Sequence, residues 1–386
     1  MKQLVLFVVD SLGLSGKTRA LTNLALGLAR ERYDSFVVTF APPEGMLAEQ
    51  LRAGGVQVEH VECDDGLAPR VVARMLKLMR HLKPAIVHCY NPRPMLYGGL
   101  AAAAMARPAI GTLSAFACMG DDRSYSFLPQ PLHTRSRRNR IRNRMLGWLM
   151  KRVTAVSPHA GHTFCDSNSI PRSKLRVISY GVNVEERVAA DEVARIRAEI
   201  GVSDGELLVG SVGRLVEQKD YPNQLRALAL AARHSPLRMT VAGAGPLARE
   251  LQELTRRLRI GDRVHWMGER PDVPAVLRCF DAFVIASKFE PFGVSVLEAM
   301  AAGLPIVATD VNELSEILDR GRAGMLVPAE RPEALAEALG ALATDPKLRE
   351  RLGSHARHVA RARYSLEAAV SAYQNLYEEV LDEGVQ

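Results

Sequence analysis

Thirteen short, β-rich apolar runs alternate with helical stretches almost from end to end of this 386-residue chain. The runs are Leu4–Val9, Phe36–Phe40, Val56–Val61, Ala85–His88, Ile110–Leu113, Val153–Val156 and Leu175–Ile178, then Leu207–Val212, Met239–Ala242, Val264–Trp266, Ala282–Ile285, Ile306–Ala308 and Met325–Val327. Between them lie helical segments such as Lys17–Arg30, Leu67–Leu82, Pro222–His234, Pro246–Leu258 and Pro332–Leu342. Strands that are apolar throughout, rather than alternately, belong to parallel sheets covered on both faces. That many strands exceed one small doubly wound domain, and a polar break near Gly181–Asp191 divides the pattern into two similar halves. The reading is α/β, with two Rossmann-like doubly wound domains, 1–183 and 184–364, facing across a cleft. A final helix at about 365–382 has no strand after it and can pack back on the first domain. Ligands of such sheets sit beyond the carboxyl ends of the strands, which makes the cleft the expected site.

Apolar residues are 47% and charged residues 24%, the balance of a soluble globular protein. The five cysteines form no CxxC pair and are odd in number, which argues against a disulfide framework or a zinc site and fits a reducing compartment. The first apolar run stops at Asp10, too soon for a secretory leader, and Met95–Ala106 is too short to span a bilayer. A cytoplasmic location is expected. The net charge of +7 is local: Arg123–Cys165 holds nine Lys and Arg and no Asp or Glu, and setting those nine aside turns +7 into −2.

Chemistry concentrates in the second half. The loop Glu290-Pro-Phe-Gly293 follows a strand and leads into a helix starting near Val294. Gly293 allows close backbone approach, and the first-turn amides with the positive end of the helix dipole suit a phosphate. Glu298, within the first two turns, can accept two hydrogen bonds from a vicinal diol such as a ribose. Either glutamate alone reads as a solvated surface acid; two of them around Phe292-Gly293 at a strand-to-helix turn read as a site. After Leu207–Val212 comes Gly213-Arg-Leu-Val-Glu-Gln-Lys219, which places Arg214 and Lys219 at a strand end, where two cations suit a departing diphosphate. Gly243-Ala-Gly-Pro246 is another turn after a strand, weak by itself.

Taken together, these motifs resemble the retaining, GT-B-fold glycosyltransferases of family 4, over nearly the whole chain. The resemblance implies transfer of a sugar from a UDP- or GDP-linked donor to a glycan, lipid-linked or small-molecule acceptor, as in polysaccharide or lipopolysaccharide biosynthesis. Arg214 and Lys219 would hold the donor diphosphate, Glu298 the ribose, and Glu290, Phe292 and Gly293 the transferred sugar and phosphates. Residues near Arg270 would frame the nucleobase. Gly16, in the early loop Gly13-Leu-Ser-Gly16, would meet the donor diphosphate. The acceptor side would involve Gly13, His88, Tyr90 and Ser114; Ser114 stands where the family often has a histidine. The family typically needs no metal or other cofactor, and no D-x-D motif occurs here. It retains anomeric configuration through same-face attack assisted by the leaving phosphate.

Other readings stay in view. Ser11-Leu-Gly-Leu-Ser-Gly-Lys17-Thr18 is one residue from a P-loop, which would mean a phosphotransferase, but a convincing Walker-B aspartate is missing. A catalytically silent scaffold on the same fold is the third reading, supported only by Ser114. His88 reads equally as a structural histidine. The basic segment Arg135–Arg152, with Trp148 in its apolar tail, is either a solvated face with Trp148 in the core or a peripheral contact with an anionic membrane; its sparse aromatics argue against nucleic acid.

Overall fold

The computed structural model describes residues 2–13, 15–63, 69–113, 144–203, 205–290, 292–311 and 313–383. The chain divides into two compact units, Met1–Gly181 with Leu366–Gln386, and Val182–Ser365. The first is built on seven strands: β1 (Gln3–Val9), β2 (Tyr33–Thr39), β3 (Gln57–His60), β4 (Ile86–Tyr90), β5 (Ala109–Thr112), β6 (Arg152–Ala155) and β7 (Leu175–Val177). They pair in the order β3-β2-β1-β4-β5-β6-β7, with every pair parallel. The second unit carries β8 (Leu207–Val212), β9 (Leu237–Ala242), β10 (Val264–Gly268), β11 (Ala282–Ile285), β12 (Ile306–Thr309) and β13 (Met325–Val327), in the order β10-β9-β8-β11-β12-β13, again parallel throughout. Each apolar run of the sequence thus forms a strand of one of two Rossmann-like sheets.

β1 shows why its sequence is apolar without alternation. Leu6 and Val8 enter a core with the helices Pro69–Leu82 and Pro92–Ala104. Val5, Phe7 and Val9 enter a second core with the helices Gly16–Gly27 and Met46–Ala53. Successive side chains of a strand point to opposite faces, so a strand buried on both must be apolar at every position. Full burial of each such side chain contributes about 1.5–3 kcal/mol. The helix Pro92–Ala104 follows the same rule: it is apolar nearly all round because it is buried, and the sequence had shown it only as a stretch too short for a membrane. Residues 144–149 are helical; Leu146 is buried beside Met150, while Trp148 is 76% exposed. Trp148 is therefore not core. The rest of the basic segment, residues 123–143, lies outside the described residues, as does Ser114.

The helix Leu366–Asp382 belongs to the first unit. Val370, Tyr373, Leu376, Tyr377 and Val380 recur along one face and complete the core that holds Val5, Phe7 and Val9. The other edge is tied by charge, with Glu379 accepting from Arg152 Nε at 3.0 Å and Arg176 Nε at 3.1 Å. In the middle lies a buried polar chain. His88 Nδ1 and the Tyr377 hydroxyl are 2.7 Å apart, His88 Nε2 and Thr112 Oγ1 2.6 Å, and Thr112 Oγ1 and Thr154 Oγ1 2.6 Å. Both ring nitrogens of His88 are spoken for and its exposure is 0%. Tyr90 is buried beside it, hydrogen-bonded to Tyr373. His88 is thus placed as a structural histidine would be, and Tyr90 is 3% exposed.

Burial pushes the His88 imidazole down to about 3 from an ordinary 6.5. Between those values the unfolded chain takes up a proton that the folded chain refuses, so this stabilisation is complete above pH 6.5 and is lost as pH falls. Denaturant unfolding between about pH 7 and about pH 5 should show stability falling, with His88 contributing up to ~1.4 kcal/mol per pH unit. His88→Gln should flatten that slope relative to wild type, and equal slopes would contradict a neutral, buried ring.

Candidate active site

Strand order reverses in the second sheet between β8 and β11, the strands at its centre. At such a switch point, consecutive connections leave in opposite directions and open a crevice at the carboxyl ends. The two strongest sequence motifs fall there, one after each strand. Lys219 closes the short 3-10 turn Glu217–Lys219 after β8, and Glu290 lies in the loop after β11. Their side chains meet, Lys219 Nζ to Glu290 Oε2 at 2.5 Å, with 13% and 7% of each exposed. The same Glu290 oxygen accepts from Ser287 Oγ at 2.9 Å, and Thr309 Oγ1 at the end of β12 donates to the Ser287 carbonyl at 2.7 Å. Arg214 is exposed and pairs with no carboxylate among the described residues. The loop after β8 thus carries one cation paired with Glu290 and one exposed cation.

The helix Val294–Ala301 opens on Gly293, whose φ of +87° lies in the left-handed region, and no side chain caps its start. An Ala there would bring its Cβ to 2.8 Å from Leu314. Glu298 is partly exposed one turn along. Phe292 is buried, edge-on to Tyr364 with ring centroids 6.3 Å apart, so its ring serves packing and only its backbone is at hand for a ligand. Arg270, in the turn after β10, holds Asp272 in a two-pronged ion pair at 2.8 and 2.6 Å. The hydrogen bonds from that guanidinium keep the Asp272 carboxyl below the usual range.

Backbone hydrogen bonds lace the turns after β8, β9 and β10 together. Gly213 N–H donates to Ala242 O at 3.0 Å, Leu215 N–H to Ala244 O at 2.9 Å, and Gly243 N–H to Gly268 O at 2.7 Å. The Gly243-Ala-Gly-Pro246 turn, weak as a motif, is the platform on which the Arg214 turn rests. Burial raises the Tyr221 hydroxyl, and this buried group donates to Gly213 O at 3.1 Å.

In the first sheet the order reverses between β1 and β4. Asp10 follows β1, and Asn91 follows β4 at a φ of +80°. Asn91 Nδ2 donates to Asp10 Oδ2 at 3.4 Å, and Asp10 Oδ1 is buried without a hydrogen bond. Burial raises the Asp10 carboxyl, with Lys17 pulling the other way. In the sequence Asp10 marks only the end of the first apolar run; Asn91, 81 residues later, is brought to it by the fold. Gly13 is exposed and Gly16 begins the helix Gly16–Gly27. Thr18 is 1% exposed and spends its hydroxyl on Gly13 O, at 2.5 Å, and on the capping box with Ser15. A P-loop presents that hydroxyl to a metal; here it is buried and the first glycine of the motif is replaced by Ser11. Among the described residues no group of three or more His, Cys, Asp or Glu is placed to hold a metal ion.

Two doubly wound units, each with its polar groups at a switch point, define the GT-B class of nucleotide-sugar fold. The family described as "Glycosyl transferases group 1" matches residues 192–359 and that described as "Glycosyltransferase Family 4" matches residues 14–186. The chain belongs to family 4 of the GT-B glycosyltransferases. It is 29% identical over 230 residues to an uncharacterized glycosyltransferase of Methanocaldococcus jannaschii, covering 58% of this chain and 59% of that protein. To the D-inositol 3-phosphate glycosyltransferase of Corynebacterium jeikeium it is 35% identical over 219 residues, covering 53% and 52%. The chain therefore spans little more than half the length of these curated relatives. The crystal structure of Anabaena HepE in complex with UDP and glucose superposes with a TM-score of 0.80 at 21% identity, covering 97% of this chain and 98% of that one.

The lacing of the turns makes Gly243→Ala a sharp test. A Cβ there would lie 1.9 Å from the Gly213 carbonyl oxygen, at a φ of +155°. Main chain cannot yield as a flexible side chain does, so the β8 and β9 turns must separate. We expect a loss of at least ~2 kcal/mol in denaturant unfolding. A variant with wild-type stability would show that the turns are not held in this packing.

Proposed function

We propose that the protein is a retaining glycosyltransferase that carries a hexose from a nucleoside-diphosphate sugar to a lipid-linked, saccharide or small-molecule acceptor, without a metal. The observation that carries the reading is the Lys219–Glu290 pair beside the exposed Arg214, at the switch point of the second sheet. Negative charge grows on the diphosphate as it leaves, and fixed cations with an uncapped helix start at Val294 stabilise it most in the transition state. Glu298 takes the ribose diol; Glu290 and the backbone at Phe292 and Gly293 face the transferred sugar; the turn bearing Arg270 frames the base. Gly16 and Gly13 border the diphosphate and acceptor in the first unit. The UDP and glucose in the HepE crystal favour a uridine donor over a guanosine one.

Isothermal titration with UDP and with GDP tests the donor site. One of the two should bind equally well with and without EDTA; strict dependence on magnesium or manganese would end the metal-free reading. Glu298→Ala should weaken that binding by ~1.5–3 kcal/mol through loss of a charged acceptor. Lys219→Ala should lower turnover more than binding, since its partner charge develops late.

The exposed Trp148 supports a peripheral, cytoplasmic-face membrane contact through Arg135–Arg152, with Trp148 at the interface and the cations other than Arg152, which Glu379 holds, on anionic headgroups. Among the described residues no helix is long and apolar enough to cross a membrane. Sedimentation with liposomes should show binding to anionic vesicles that weakens with salt, as the cations are screened within ~8 Å at physiological ionic strength. Serine at Arg137, Arg138, Arg140 and Arg142 should release the protein. Equal binding to neutral vesicles would leave only a solvated basic face.

A further inference from the structure

The Lys219–Glu290 pair joins two loops that are 71 residues apart in sequence. A charge pair alone sets a distance poorly, because both side chains are long and flexible. What fixes the loops is one position back in each. Gln218 Nε2 donates to Phe289 O at 3.0 Å, and Lys288 N–H donates to Gln218 O at 2.9 Å. Gln218 is thus bonded through both main chain and side chain to the two residues that precede Glu290. It is 4% exposed, and its Oε1 has no hydrogen-bond partner, so only the donor half of its amide is in use. Gln224 Nε2 holds the Lys219 carbonyl from below at 3.2 Å, and Asp220 makes the turn between them at a φ of +43°.

We propose that Gln218 is a positioning residue for sugar transfer: its amide N–H, bonded to the Phe289 carbonyl, sets the spacing of the Lys219 and Glu290 loops. The assignment rests on the transfer reading above. Gln218 acts through its neighbours and is placed in no contact with donor or acceptor. Its effect belongs to the transition state, where the cation must meet charge that forms only as the diphosphate departs.

Gln218→Met keeps the length and apolar stem and deletes the donor. Gln218→Glu replaces the donor with a carboxylate that opposes the Phe289 carbonyl until it is protonated. The probe is UDP-glucose, hydrolysed to free glucose with water as the acceptor, and GDP-mannose where wild type leaves UDP-glucose intact. Gln218→Met should lower kcat about 10- to 100-fold, the scale of a misplacement near 1 Å, with KM and diphosphate Kd changed less than about threefold. The melting temperature should stay close to that of wild type. Gln218→Glu should be similarly impaired at neutral pH and recover, relative to wild type, as pH falls and its carboxyl becomes an O–H donor to Phe289 O. A wild-type kcat in Gln218→Met, or a loss that only tracks the unfolded fraction, overturns the role of Gln218 and leaves the transfer reading standing. A wild-type protein that neither binds UDP or GDP nor turns over either sugar overturns the transfer reading and this assignment with it.

Discussion

A parallel strand covered on both faces has no room for a charge except at its ends. That constraint governs this protein. β1 runs through the interior of its sheet as unbroken apolar chain from Leu4 to Val9, β8 carries only the small Ser211 among its apolar residues, and charge returns at Asp10 and Arg214. The switch points are the only places where two such ends lie side by side while their connections diverge. Lys219 and Glu290 meet at one; Asp10 and Asn91 meet at the other. The chemistry gathers there because the hydrophobic layers leave it nowhere else to go.

The fold was legible because continuous apolar runs carry their own explanation. Every one of the thirteen marks a strand; a buried central strand such as β1 has few other compositions open to it, while the edge strands β3 and β7 carry polar residues and are partly exposed. The Glu290 loop was legible for a related reason: glycine and two acids at a strand-to-helix turn are costly unless used. What escaped was everything decided by a distant partner. His88 becomes structural through Tyr377, 289 residues later, and nothing near His88 announces that. Gln218 looks like any loop amide until Phe289 O is seen beside it. Trp148 sits in an apolar string that reads as core, yet it is exposed while Leu146, Leu149 and Met150 pack inward.

The donor-side loops are supported in an ordered way. Hydrogen bonds between main-chain groups hold the β8, β9 and β10 turns, and glycine permits the approach. Side-chain amides and hydroxyls then hold the β8 loop to the β11 loop. Charge comes last, on a frame already fixed. A site built in this sequence loses little reorganisation energy when charge develops in it, which is the general route by which preorganised dipoles lower a barrier.

The return of the helix Leu366–Asp382 to the first unit has a consequence for synthesis. The second unit is, in chain terms, an insertion within the first. As the polypeptide leaves the ribosome from its amino end, the second unit can close while the first still lacks one wall of its core. Until Tyr373 and Tyr377 emerge, His88 Nδ1 waits without its Tyr377 partner and the apolar face of β1 lacks part of its cover. The half that is made first is completed last, and a nascent chain of this protein depends for that interval on being shielded from its neighbours.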